Sequence, residues 1–130
     1  VSATAEVSRQ DNTFTVDISS QDSSLLIGKY GSNLEALQFN LAVRLKTLTG
    51  QENFEVFVDI DNWRKMREEK LKKMAISLAQ KVAASGKEEF LYNLKAYERR
   101  VIHTVLTDHP QVTTISQGEG HDRHLIIKPK

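Results

Sequence analysis

Leu25-Leu26-Ile27-Gly28-Lys29-Tyr30-Gly31-Ser32-Asn33-Leu34-Glu35 decides how the first half of this chain folds. A short apolar run meets a Gly-x-x-Gly turn with a lysine at its tip, and a helix start follows at once. Two glycines so placed let the main chain approach a ligand's phosphates closely, because no Cβ intervenes. A helix opening directly after the turn adds unpaired N–H groups and the positive end of a dipole. Many tight turns carry two glycines, so the weight of this pair rests on its surroundings.

Upstream, Val1, Ala3, Ala5 and Val7 alternate with polar residues, as do Phe14, Val16 and Ile18, across the turn-rich Arg9-Gln10-Asp11-Asn12-Thr13. This pattern predicts a β-hairpin with one buried face. Asp22 or Ser23 caps a short helix that stops at Gly28. Ser32 and Glu35 have capping-box spacing for the next helix. Its stripe is Leu34, Leu37, Leu41, Leu45 and Leu48, with Gly50 as the stop. Phe54, Val56, Val58 and Ile60 alternate as a third strand. The order is β-β-α-turn-α-β, and a small sheet with helices on one face satisfies every stripe.

Asp61 or Asn62 opens a long helix from about Trp63 to Ser85, with Met66, Met74, Leu78 and Val82 marking its buried side. Its polar side carries Arg64, Lys65, Arg67, Lys70, Lys72, Lys73 and Lys81 against Glu68 and Glu69. A lysine-rich face of this kind is more often a solvated face than a phosphate contact. Beyond Gly86 the sequence predicts a short strand at Phe90, Tyr92 and Leu94, and a helix from Lys95 to about Thr107. Two strands follow, Gln111 to Gln117 and Arg123 to Lys128, joined by Gly118-Glu119-Gly120-His121-Asp122. The expected fold class is α+β. Two small α/β sandwich-like modules, residues 1–62 and 86–130, are joined by the helix 63–85.

The charge is divided along the chain. Residues 1–62 hold four basic and nine acidic side chains, whereas residues 63–130 hold fourteen basic and eight acidic. A phosphate-binding reading therefore favours the second half, with Lys29 as a local exception. The absence of cysteine excludes disulfides and thiolate metal sites. No apolar run approaches the ~18 residues of a membrane span, and the N-terminus carries no secretory signal pattern. A first residue of Val rather than Met reads as a fragment of a longer chain.

Arg99 and His103 lie four apart on the predicted helix and so share a face. Arg100 and Tyr97 are close by. A planar fork of donors beside a second donor ring makes a phosphate-sized cradle, and aromatics nearby allow base stacking. Taken alone, such a pair is more often an Arg99 paired with Glu88, Glu89 or another carboxylate beside a surface histidine, because lone i,i+4 pairs are common. No partnered Ser or Cys nucleophile accompanies His103, so no enzyme is expected. His121-Asp122-Arg123-His124 matches no strong zinc spacing, and no metal or cofactor is expected.

With both constellations in view, the chain resembles the bacterial Jag family, also called SpoIIIJ-associated proteins, over nearly its whole length. Leu26-Ile27-Gly28-Lys29-Tyr30-Gly31 with Leu34-Glu35-Ala36-Leu37-Gln38 resembles that family's KH domain. Ala96-Tyr97-Glu98-Arg99-Arg100-Val101-Ile102-His103 resembles its Arg-x-x-x-His domain, and Ser116-Gln117-Gly118-Glu119-Gly120 with Arg123 the segment that closes it. Three motifs in this order and separation are far more specific than any one of them.

The resemblance implies single-stranded RNA binding, with single-stranded DNA as a second candidate, in the bacterial cytoplasm. It implies no catalysis by these domains. It also implies links to control of cell elongation, division and envelope synthesis, alongside a smaller KH-only protein. Carried over by position, Gly28 and Gly31 shape the backbone clamp and Lys29 meets a phosphate. Ile27 and Leu37 help to floor an apolar groove for bases. Arg99 and His103 bind phosphate or sugar, with Arg100 and Arg123 beside them. Tyr30 stands where many KH loops carry a basic or small residue, exchanging charge for a stacking surface. The alternative is a protein-interaction scaffold or homodimerisation module near the membrane-protein insertion machinery, for which Ala36, Phe39 and Val43 provide apolar surface off the main stripe.

Overall fold

The structure, a computed structural model, describes residues 1–130. In chain order the elements are β1 (Ala3–Gln10), β2 (Thr13–Ser20), α1 (Ser23–Ile27), α2 (Ser32–Thr49), β3 (Glu55–Ile60), α3 (Trp63–Ser85), β4 (Glu89–Leu91), α4 (Ala96–Leu106), β5 (Val112–Gln117) and β6 (His124–Pro129). The chain divides into two compact units, Val1–Arg64 and Lys65–Lys130. The fold is mixed α and β, with one three-stranded sheet in each unit. No helix is long and apolar enough to cross a membrane.

In the first unit β1 and β2 form the expected antiparallel hairpin, and β2 then pairs in parallel with β3, Val16 opposite Val58. A parallel pair needs a crossover between its strands. The segment holding α1 and α2 is that crossover, which brings the Gly-x-x-Gly turn to the end of the sheet's covering helices. Ile27, Leu34, Val56, Val58 and Ile60 are the buried core, and Leu37, Leu41, Ala42 and Leu45 pack against it. The period-3.6 stripe of α2 thus meets the period-2 stripes of β2 and β3.

Two expectations fail here. Every residue of β1 is exposed, including Val7. The hairpin's buried face belongs to β2 alone, because β1 is the edge strand and α2 lies against β3. Ser32 is not a cap either. Gly31 occupies that position with φ 76° and ψ 16°, and no side chain caps the helix. The left-handed turn places the helix start one residue before the capping-box pattern.

The second unit is an antiparallel sheet in the order β4-β6-β5, with α3 and α4 supplying its apolar cover. Its core gathers Leu71, Ala75, Ala79 and Val82 of α3, Ile102 and Leu106 of α4, and Leu94, Val112, Leu125 and Ile127. Residues 65–85, read from sequence as a connector, therefore supply one wall of this core. The buried line of α3 also differs from the expected one. Met66 is exposed, Met74 and Leu78 are half-buried, and the centre falls on Leu71, Ala75 and Ala79. Alanines carry little weight in a hydropathy pattern, yet they are what lets a helix backbone come close to its neighbours.

Two arginines assigned to the solvated face of α3 are engaged instead. Arg64 donates from Nε to the Val58 carbonyl at 3.0 Å and from its terminal nitrogen to Gln38 Oε1 at 2.9 Å. Arg67 Nε donates to Glu98 Oε2 at 2.6 Å, and Glu98 is 1% exposed. Glu98 Oε1 also accepts the Lys95 N–H at 3.1 Å. One carboxylate thus ties the start of α4 to α3.

Candidate nucleic-acid interface

The turn Gly28–Gly31 carries three departures from ordinary backbone. Gly28 has φ 74°, Tyr30 φ 55° and Gly31 φ 76°. Left-handed values suit glycine and are strained for tyrosine. Both glycines are also sterically required. A Cβ on Gly28 would lie 2.7 Å from Asn33 Cγ, and one on Gly31 2.5 Å from Trp63 Cη2. Asn33 Nδ2 in turn donates to the Leu25 carbonyl at 2.9 Å, binding α1 to the first turn of α2. Neither Asn33 nor Trp63 stands out in the sequence, because both act through tertiary placement.

Lys29 is exposed, and its Nζ lies 5.5 Å from the centroid of the exposed Tyr30 ring. The tip of the turn is therefore a cation beside an aromatic face. Ile27, at 8% exposure, belongs to the core, and Leu37 packs against that core half-buried. The open apolar side chain of this stretch is Leu25.

In the second unit, Arg99, Arg100, His103 and Arg123 line one open cleft of about 420 Å³, together with Ala96, Thr114, Ile115, Ser116 and Leu125. α4 contributes the first three at helical spacing, and the loop before β6 brings in Arg123. Three guanidinium groups around one concave surface make a cationic site suited to anionic oxygens, with the His103 imidazole beside them. Backbone carbonyls orient two of the arginines. Arg99 donates to Leu94 O at 2.7 Å and Arg123 to Gly118 O at 2.9 Å. Their remaining N–H groups are free of those two bonds. Thr114 Oγ1 sits 2.6 Å from His103 Nδ1 and fixes the imidazole's orientation. The hydroxyls of Thr114 and Ser116 are not legible as site residues in the sequence. Nothing local marks a β-strand threonine as facing a histidine 11 positions back on a helix.

Residues 69–129 match the Arg-x-x-x-His (R-x-x-x-H) domain family. The match covers the cleft with Arg99, Arg100, His103 and Arg123. The whole chain is also similar to curated relatives named RNA-binding protein KhpB. It is 36% identical to that of Bacillus subtilis over 134 residues, covering 100% of this chain and 64% of the relative. It is 34% identical to that of Lactiplantibacillus plantarum over 127 residues, covering 98% of this chain and 39% of the relative. With that of Clostridium symbiosum it shares 32% identity over 130 residues, covering 100% and 58%. The chain thus spans between 39% and 64% of the length of these relatives.

Within the matched segment the other histidines play different parts from His103. His124 Nδ1 lies 2.8 Å from the Asp122 carbonyl, so that nitrogen carries the proton and donates. Its ring stacks on Tyr92 with centroids 4.7 Å apart. No group of three His, Asp or Glu side chains is placed to hold a metal ion. Glu89, one of the carboxylates considered for Arg99, pairs with Lys81 at 2.6 Å.

Proposed function

We propose that this chain is a single-stranded RNA-binding protein of the KhpB (Jag) kind, with two binding modules and no chemistry of its own. The observation that carries this reading is the convergence of Arg99, Arg100, His103 and Arg123 on one cleft of the Arg-x-x-x-His segment. Guanidinium forks grip phosphate oxygens, the Ser116 hydroxyl adds a donor for phosphate or ribose, and Thr114 holds the His103 ring in place. The names of the relatives agree with this chemistry.

In the same reading, residues 1–62 form a KH-like module whose Gly28–Gly31 turn clamps the backbone, with Lys29 on a phosphate and Tyr30 against a base. Ile27 and Leu37 support the apolar floor from the core side. A cytoplasmic regulator acting on cell elongation and envelope synthesis, working beside a smaller KH-only protein, is the wider role proposed.

Fluorescence anisotropy with short labelled single-stranded RNA and DNA, in low and moderate salt, tests the proposal. Binding is expected to weaken steeply with salt as counterions are released, and an Arg99→Ala/His103→Ala variant is expected to bind more weakly. Absence of binding to either strand at high protein concentration overturns it.

A second reading has its own observation. Phe39 is 69% exposed and Val43 is exposed one turn on, on the side of α2 opposite its core stripe. That stripe suits an interaction scaffold or homodimer. Light scattering that finds only a monomer removes the homodimer.

A further inference from the structure

The sheet of the second unit has two faces, and only one is used by the core. Leu91, Val112, Leu125 and Ile127 point into the core. Strand alternation puts their neighbours on the other face. Register then assembles that face. Phe90 and Ile115 both lie opposite Ile126, and Gln117 lies opposite His124. Tyr92, one residue past β4, lies against His124.

This open face is aromatic. Tyr92 is 55% exposed and Phe90 48%. The His124 ring stands between them, stacked on Tyr92 at 4.7 Å and tilted against Phe90 at 6.0 Å. Ile126 is 5% exposed yet outside the core cluster that its neighbours Leu125 and Ile127 join. It is the floor of the patch, covered by the open-face side chains. The bond from His124 Nδ1 to Asp122 O holds the stack in one orientation.

We infer that this face is a stacking platform for the unpaired bases of the strand whose phosphates occupy the Arg99–His103 cleft. The inference rests on the RNA-binding reading above. Three features favour bases over a protein partner. The patch and the cationic cleft lie on opposite faces of the sheet and adjoin around its edge strand β5, where Ile115 of the patch also lines the cleft and Arg123 of the cleft precedes His124 of the platform. Its rings have half-open faces, which every base can use. Polar side chains, Gln117 and Lys128, share the face, as a solvated strand requires and a dry protein interface does not. Phosphates in the cleft would set the strand's register, and rings a few residues away would take its bases.

The test is fluorescence anisotropy on the full chain with two labelled probes: a mixed-sequence RNA decamer, and the same backbone carrying abasic ribose. The wild-type chain is expected to prefer the decamer with bases. Tyr92→Ala is expected to shrink that preference by roughly 5- to 150-fold, the range of one base–aromatic stack. Tyr92→Phe, which keeps the ring, is expected to retain it. Arg99→Ala should weaken both probes together. Equal wild-type binding of the two probes, or a preference unchanged in Tyr92→Ala, overturns the platform and leaves the cleft reading standing. Failure of the wild-type chain to bind either probe overturns both. Circular dichroism confirms that each variant is folded.

Discussion

The indole of Trp63 occupies the space above Gly31, so that a Cβ built on Gly31 lies 2.5 Å from Trp63 Cη2. The Gly-x-x-Gly turn is therefore held from outside as well as by its own dihedral angles. Gly31→Ala is expected to destabilise the first unit by about 2–4 kcal/mol, combining left-handed strain with overpacking. Gly50, with φ 66° and nothing within 4 Å of its Cβ position, is the matched control for strain alone. Urea unfolding followed through Trp63, the chain's single tryptophan, reads both. Equal losses at the two positions would mean that the indole moves aside freely.

Lys29 separates binding from folding at the same turn. It is exposed and outside the core. Lys29→Ala is expected to change stability by no more than about 0.5 kcal/mol. It should lower the salt slope of RNA binding by about 0.7, the value of one phosphate contact on a single strand. Titrations at several salt concentrations measure this, and an unchanged slope would detach Lys29 from the phosphate. Gly28→Asp is a poor substitute, because φ 74° and the 2.7 Å approach to Asn33 would perturb the turn itself.

Arg67 and Glu98 form the buried ion pair of the second unit, with side-chain exposures of 16% and 1%. Removing one partner strands the other's charge. Arg67→Ala is expected to destabilise this unit by about 3–5 kcal/mol. Glu98→Gln keeps an acceptor for the Lys95 N–H and should lose less. Thermal unfolding of the two variants gives the comparison, and a smaller loss for Arg67→Ala than for Glu98→Gln would contradict it.

Thr114 positions His103 rather than defining the cleft by charge. Its Oγ1 lies 2.6 Å from His103 Nδ1. Thr114→Val keeps the shape and removes that bond, and is expected to weaken RNA binding roughly 2- to 12-fold, the value of one hydrogen bond. His103→Ala should weaken it more. An equal or larger effect of Thr114→Val would give the hydroxyl a direct part in contacting RNA.

Legibility in the chain differs by residue, and so do its reasons. Arg99 and His103 announce a shared face because helical spacing alone puts them there. The strands holding Phe14, Val16 and Ile18, and Val56, Val58 and Ile60, announce themselves through strict alternation. Arg64 and Arg67 look solvated because charge at helical spacing usually is. Their engagement by Gln38, Val58 and Glu98 depends on residues up to 31 positions away. Met66 looks buried because pattern reading weights large apolar side chains above Ala75 and Ala79.

The order of elements, the place of the two glycines and the helical register of Arg99 and His103 are all written in the chain. Each follows from contacts within a turn or two, where spacing and backbone freedom decide. Folding in three dimensions adds what no such spacing holds. It leaves β1 bare of α2, closes Trp63 over Gly31, and completes the cleft with Arg123, Thr114 and Ser116. It also sets Tyr92 and His124 face to face on the open side of the sheet. These arrangements come from packing between distant elements. There the winning partner is the one that fills space and satisfies buried polar groups, and no local pattern encodes it.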